Sequence, residues 1–505
     1  MRPSTAGQQD APPAAATGRG TAPVRWALAA LSLLMLLSSL GTSIANVALP
    51  TLAEAFSASF QEVQWIVLSY LLAVTTLIVG AGRLGDLIGR RRLLLAGILL
   101  FTAASVLCGL APTLWLLIAA RAAQGLGAAV MMALAMAFVG GTVPKARTGR
   151  AMGLLGTMSA IGTALGPSLG GVLIAGPGWR AIFLVNAPLG ALALFLAHRH
   201  LPDDRRKGQE GLERLKGQER AQGPEEVGRA RFDHAGTLLL ALTLAAYALA
   251  MTTGHGGFGP LNAALLAGAV LGAGLFVRTE SRAASPLIRP ATFRDPALRA
   301  SLAMSTLVST VMMATLVVGP FYLSRSLGLD EALVGLVLSA GPLVAALAGV
   351  PAGRLADRFG APRMAVAGLG AMAVGTFALS VTAGSLGIPG YVAPIAVVTA
   401  GYAVFQTANN TAVMADVRPD RRGVTSGLLN LARNLGLITG TSVMGAVFAS
   451  ASAATDVATA PPGAVATGMR VTFAVAGVLV LVALALALAA RKPRPRPARS
   501  GRPSG

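Results

Sequence analysis

The sequence predicts an all-α integral membrane protein of fourteen transmembrane helices, built as two pseudo-symmetric six-helix bundles plus an inserted helix pair. Three observations predict it. Charged residues make up only 12% of the 505 and hydrophobic residues 54%, whereas a soluble domain carries about 25% charged residues. The apolar residues gather in blocks of about 20, the length that crosses a bilayer. Two groups of motifs also recur along the chain at nearly one offset.

Taken in order, the blocks fall near 26–49, 62–81, 93–111, 113–141, 150–175, 181–198, 235–253, 259–277, 300–323, 331–352, 363–384, 390–414, 423–451 and 470–490. Many are rich in Gly and Ala, which let helices in lipid approach closely. The first block reads as a span rather than a signal peptide, because a polar stretch precedes it and its apolar run exceeds a leader's h-region. A membrane β-barrel would show strict alternation in short segments, and this sequence does not. Residues 1–25, rich in Pro, Ala, Gly and Thr, read as a disordered cytoplasmic tail. An N-terminal six-helix bundle follows at 26–199. A cytoplasmic linker of mixed charge comes next at 200–233. The inserted helices seven and eight occupy 234–278, a cytoplasmic loop 279–299, the C-terminal six-helix bundle 300–491 and a basic cytoplasmic tail 492–505.

Charge supplies the orientation. The 41 basic and 20 acidic residues give a net +21, which on its own suggests nucleic acid or a membrane surface. With the N-terminus inside, 36 of the 41 Lys and Arg lie in tails and loops of one face. Arg180, Arg325 and Arg470 lie on the other, and Arg121 and Arg433 fall within spans. This asymmetry is the positive-inside rule. It predicts a multi-pass protein of the plasma membrane with both termini cytoplasmic and the lipid bilayer as partner. Without basic helices or aromatic-basic interleaving outside the loops, nucleic acid is not a partner. The single cysteine, Cys108, lies mid-span and excludes an intrachain disulfide or a cysteine metal site. No metal and no cofactor is expected. The absence of a Walker A sequence argues against direct ATP drive.

The repeat is the most informative feature. Gly82-Arg83-Leu84-Gly85-Asp86 precedes Gly89-Arg90-Arg91-Arg92 at the end of span two. Gly353-Arg354-Leu355-Ala356-Asp357 precedes Gly360 at the end of span ten, an offset of 271. Gly153, Gly162 and Gly166 in span five match Gly427, Gly436 and Gly440 in span thirteen, an offset of 274. Spans 1–6 and 9–14 are therefore related halves, an arrangement that places a substrate path at their interface. Span five continues into Pro167, which removes a backbone donor, and Gly170-Gly171. Arg121-Ala122-Ala123-Gln124-Gly125 sets an arginine near the bilayer centre, at a cost of about 2.5–3.5 kcal/mol. Gly125-Leu126-Gly127 lacks the third glycine and the preceding strand of a dinucleotide fingerprint.

These motifs resemble the major facilitator superfamily, specifically its fourteen-span drug:proton antiporter branch, from about Trp26 to Arg491. The runs Asn46 to Pro50, Trp65 to Tyr70 and Leu431 to Gly436 support the branch. The resemblance implies that Gly82, Asp86, Gly89, Arg90, Arg91 and Arg92 form a conformational latch. It implies that Arg121 takes part in proton coupling, and that the glycines of span five with Pro167 mark an antiporter. It departs at one position: where the branch carries an aspartate, this chain has Gly41. No acid lies near the centre of any span, so the usual proton switch is missing. Polar stripes at helical spacing instead outline a central cavity of Thr42, Asn46, Trp65, Tyr70, Gln124, Tyr402, Gln406, Asn409 and Asn430, with Arg121 and Arg433 as intramembrane charges. The implied function is export of small amphipathic drugs, antibiotics or secondary metabolites by a proton-coupled monomer. A metabolite facilitator or symporter, or a non-transporting membrane sensor, are the alternatives.

Overall fold

The computed structural model describes residues 21–142, 148–201, 234–252, 259–282, 295–382, 384–415, 422–452 and 460–490, except for some side chains within the helices. The linker, both tails and the side chains of Arg83, Asp86 and Ser426 lie outside this description.

Among the described residues, fourteen long helices follow one another in the order of the expected spans. The first six are α1 (Thr21–Val47), α2 (Phe60–Ile88), α3 (Arg90–Leu110), α4 (Leu114–Thr142), α5 (Thr148–Ala175) and α6 (Asn186–His200, preceded by the turn Ala181–Leu184). The pair α7 (His234–Thr252) and α8 (Pro260–Arg282) comes next. The last six are α9 (Pro296–Phe321), α10 (Glu331–Phe359), α11 (Ala361–Thr382), α12 (Gly387–Ala415), α13 (Arg422–Thr439) and α14 (Pro462–Ala490). Among the described residues, thirteen helices are long and apolar enough to cross a membrane. A shorter apolar helix, Ala235–Ala250, fills the seventh place.

Local chemistry explains where these helices start and break. Ser59 and Glu62 form a capping box at the start of α2, the Ser59 N–H donating to Glu62 Oε2 at 2.8 Å. Asp295 and Asp330 cap α9 and α10. These acids on span edges are thus occupied by backbone. Pro188 cannot donate to the carbonyl four residues back, and the helix is interrupted at Val185. The segment read from sequence as a loop, Gly82 to Arg92, is almost entirely helical, and its turn is the single residue Gly89. Gly89 has φ +102° and its counterpart Gly360 φ +85°, a region that L side chains avoid. The N–H of each closes on the helix before it, Gly89 on Gly85 and Gly360 on Ala356.

Helix packing repeats with an offset of eight helices. In the first half α1 lies on α5 and α6, α2 on α4, and α3 on α4 and α6. In the second half α9 lies on α13 and α14, α10 on α12, and α11 on α12 and α14. The halves meet where α5 lies on α10 and α13 on α2, contacts that a two-fold axis would exchange. The glycine stripes make the close approaches. Gly162, Gly166 and Gly170 lie on α1, and Gly436 and Gly440 on α9. At the level of Pro167 in α5, α13 instead changes to a wider turn over Gly440–Met444. The inserted pair breaks the symmetry. α7 leans on α2 and on that wider turn, with the Tyr247 hydroxyl donating to Thr439 Oγ1 at 3.1 Å. α8 packs on α7 and exposes Leu261, Val270, Leu271 and Val277, a face suited to lipid.

Candidate functional site

Arg121 sits on α4 and is completely buried. Its Nε donates to the Ile66 carbonyl at 2.9 Å and its Nη1 to Gln124 Oε1 at 2.6 Å. Gln124 Nε2 donates to Ser105 Oγ at 2.7 Å, and Ser105 in turn to the Phe101 carbonyl. The guanidinium lies over the Tyr70 ring, 4.3 Å from its centroid, and 5.9 Å from that of Phe183. Tyr70 is itself fixed by donating to the Ser38 carbonyl at 2.8 Å. Hydrogen bonds to a charged group contribute about 1.5–3 kcal/mol each, so two of them with a cation–π contact offset the insertion cost quoted above. Among the described residues Nη2 has no partner, and no carboxylate approaches. Gly41 forms a wall of this pocket: a Cβ there would lie 3.2 Å from the Tyr70 hydroxyl and 3.4 Å from the Phe101 ring. A side chain at position 41 would therefore meet Tyr70, whose ring lies under Arg121, and Phe101.

The residues expected to line the cavity divide into two sets. Tyr70, Gln124 and Asn409 are buried inside single bundles. Asn409 accepts from Ser301 and donates to Ser305, which stitches α12 to α9. Asn46 is also buried and turns back on its own helix, donating to the Thr42 and Ser43 carbonyls. Thr42, Trp65, Tyr402, Gln406, Asn430 and Arg433 are partly exposed. On α13 and its continuation past the wider turn, the sector holding Asn430 and Arg433, both partly exposed, falls between two others. One packs α9 through Gly436 and Gly440, and the other meets α2 through Gly445 against Gln64. It faces the space between the bundles. Sequence patterning missed Ser105, Ser301 and Ser305, whose hydroxyls complete the networks across helices.

In the expected latch, Gly85 rather than Gly82 makes the close approach, with a Cβ position 2.9 Å from Leu134 Cδ2, while a Cβ on Gly82 would touch nothing. Arg91 donates to the His198 carbonyl of α6, Arg90 packs under Gly85, and Arg92 is exposed. On α5, Gly171 turns away from α1 and meets α10: a Cβ on it would lie 2.6 Å from the Glu331 carbonyl and 2.9 Å from Gly335 Cα. The packing of Gly153 lies outside the described residues. Gly166-Pro167-Ser168-Leu169-Gly170 also spells a nucleophile-elbow pattern. It lies inside a helix, however, with the Ser168 hydroxyl donating to the Leu165 carbonyl, and the elbow requires a strand-to-helix turn.

The named side-chain contacts between the halves gather at the end remote from Gly89 and Gly360. Glu54 pairs with Arg325. Phe60 meets Phe321 and Phe448 edge-on, with centroids 4.8 and 5.6 Å apart. Gly171 meets Gly335, and Gly445 meets Gln64. The halves are closed at that end.

Two pseudo-symmetric helical bundles, closed at one end around partly exposed polar side chains, define a multi-pass membrane transporter. The model of the Major Facilitator Superfamily matches residues 31–441 and again 302–505, and the chain belongs to that superfamily. It is 33% identical over 418 residues to multidrug resistance protein Stp of Mycobacterium tuberculosis, covering 82% of this chain and 73% of that protein. It is 28% identical over 419 residues to riboflavin transporter RibZ of Clostridioides difficile, covering 82% and 86%. Among solved structures, an inward-facing, unoccupied bacterial homologue of the human lysosomal transporter Spinster shares the fold. Its TM-score is 0.65 at 16% identity, over 93% of this chain and 97% of that one.

Proposed function

We propose that the protein is a secondary active efflux transporter. It exports small amphipathic drugs, antibiotics or secondary metabolites by rocking its two bundles about the cleft between them. It works as a monomer in the plasma membrane, with both termini in the cytoplasm and the proton as coupling ion. The observation that carries the reading is one-ended closure: aromatic, glycine and ion-pair contacts seal the Phe60 end, while Tyr402, Gln406, Asn430 and Arg433 stand partly exposed between the halves. The positive-inside charge pattern makes the sealed end the outer one, so the cleft receives compounds from the cytoplasm. The name of Stp, a multidrug resistance protein, supports export. RibZ, named a riboflavin transporter, together with Gly41 in place of a carboxylate, favours a second reading as a metabolite carrier.

Accumulation of a panel of fluorescent amphipathic dyes, in cells with and without the gene, tests both readings. Export predicts accumulation lowered several-fold by the gene and restored by a protonophore. Equal accumulation in both strains would remove the export reading, and gene-dependent export indifferent to the protonophore would remove proton coupling.

A further inference from the structure

We infer that the C-terminal half of the cleft is an acceptor-reading subsite centred on Arg433, which selects compounds with an anionic or acceptor-rich head over lipophilic cations. The inference rests on the export reading and names its substrate class.

The first observation is what the cleft lacks. No Asp or Glu falls in the middle of a span anywhere in the sequence. Among the described residues Glu62, Asp295 and Asp330 cap helices, Glu54 pairs with Arg325, and Glu280 is buried in the last turns of α8. A cationic compound at mid-membrane depth in the cleft would have left water without a carboxylate at that depth to meet it. An isolated cation in a low-dielectric site is strongly disfavoured.

The second observation is what the cleft offers. Of the two span arginines, Arg121 is committed to Ile66 and Gln124. Arg433 is partly exposed, its Nε is buried without a partner, and nothing among the described residues pairs with its head. Gln406 and the Tyr402 hydroxyl likewise make no hydrogen bond among the described residues, and Asn410 Oδ1 is buried and unpaired. These groups share one layer. At 1.5 Å per residue, Arg433 lies roughly 17 Å from the start of α13, and Gln406 and Tyr402 roughly 14 and 20 Å from the end of α12. Those two helix ends are joined by only residues 416–421, so both depths are measured from the same side. Unpaired polar side chains at membrane depth need water or a ligand as partner. A guanidinium has five donors and no acceptor, and it binds carboxylate-like oxygens in a two-pronged fork.

The test uses fluorescein and a rhodamine ester, which share one xanthene scaffold with opposite charge. Dye efflux is followed from preloaded cells carrying the full chain. The wild type is expected to export fluorescein about tenfold faster than the rhodamine ester, and Arg433→Gln to lower fluorescein efflux about tenfold, the loss of one charge-assisted hydrogen bond. Arg433→Lys should keep part of it. Thermal midpoints in detergent establish that both variants are folded. Export of the rhodamine ester as fast as fluorescein, or undiminished fluorescein efflux by Arg433→Gln, overturns the inference and leaves export standing. A wild type that moves neither these dyes nor any of the wider panel removes the export reading and the subsite with it.

Discussion

Arg121 and Arg433 look alike in the sequence, each a lone arginine in a membrane span. Folding gives them opposite roles, because burial depends on which helices close around a side chain. Arg121 lies inside the first bundle with the Tyr70 ring beneath it and Ile66 and Gln124 accepting its hydrogen bonds, while Arg433 stays partly exposed. Stability separates them. Arg121→Ala strands the Gln124 amide oxygen in a dry core, at about 1–3 kcal/mol, and empties the space that the guanidinium fills over the Tyr70 ring. The thermal midpoint of the purified protein should fall by several degrees. Arg433→Gln, at a partly exposed site, should move it little, within about 0.5 kcal/mol. Equal midpoints for the two variants would contradict the separation. Gly41 shows what is legible at this scale: the absent carboxylate is plain in the sequence, but that its space is bounded by Tyr70 and Phe101 required those rings to be in place.

Among the elements, α5 has two working faces one residue apart. Gly170 seats it on α1 within its own bundle, and Gly171 seats it on α10 across the cleft. The glycine spacing was legible as a packing stripe, but the partner of each glycine was not, because spacing fixes a face and not what covers it. The latch segment was legible as a repeated motif between spans two and three, and the compression of its turn to the one residue Gly89 was not. The conformational consequence is testable at Gly171. A methyl there meets the Glu331 carbonyl and Gly335 Cα, backbone atoms that cannot swing aside. Overpacking of this kind costs about 1–3 kcal/mol, which disfavours the closed end by about five- to 150-fold. Cys108 is the chain's one cysteine and is buried, so Gln64→Cys can report from the closed end. Its maleimide labelling should accelerate by that factor when Gly171→Ala is added. Gly156→Ala, with nothing within 4 Å of its Cβ position, should leave the rate alone. Similar rates in both backgrounds would show that Gly171 does not hold the ends together.

At the scale of the whole molecule, the two motif offsets that revealed related halves also describe how the halves meet. Gly171 and Gly445 differ by 274, and their partners Gly335 and Gln64 by 271. One seam is therefore glycine on glycine, and its symmetry mate is glycine under a glutamine amide. Glu54 and Arg325 also differ by 271, so the ion pair joins equivalent positions and lies beside the pseudo-two-fold axis that relates the halves. The repeats made the halves legible. Which end was closed was not, since that depends on contacts between residues some 270 positions apart. A pair on the axis must separate whenever the Phe60 end opens, so its strength biases the cycle. Glu54 is 62% exposed and Arg325 30%, and exposed pairs contribute about 0.2–1 kcal/mol. Glu54→Gln should therefore slow dye export by no more than about fivefold. Glu54→Arg sets two guanidinium groups against each other and should cost more, with faster labelling of the closed-end cysteine. Combining it with Arg325→Glu rebuilds the pair in reverse and should return both export and labelling toward wild type. A double variant no better than the worse single one would mean that the attraction between these two charges does not hold the Phe60 end shut, leaving closure to Phe60 and the glycine seams.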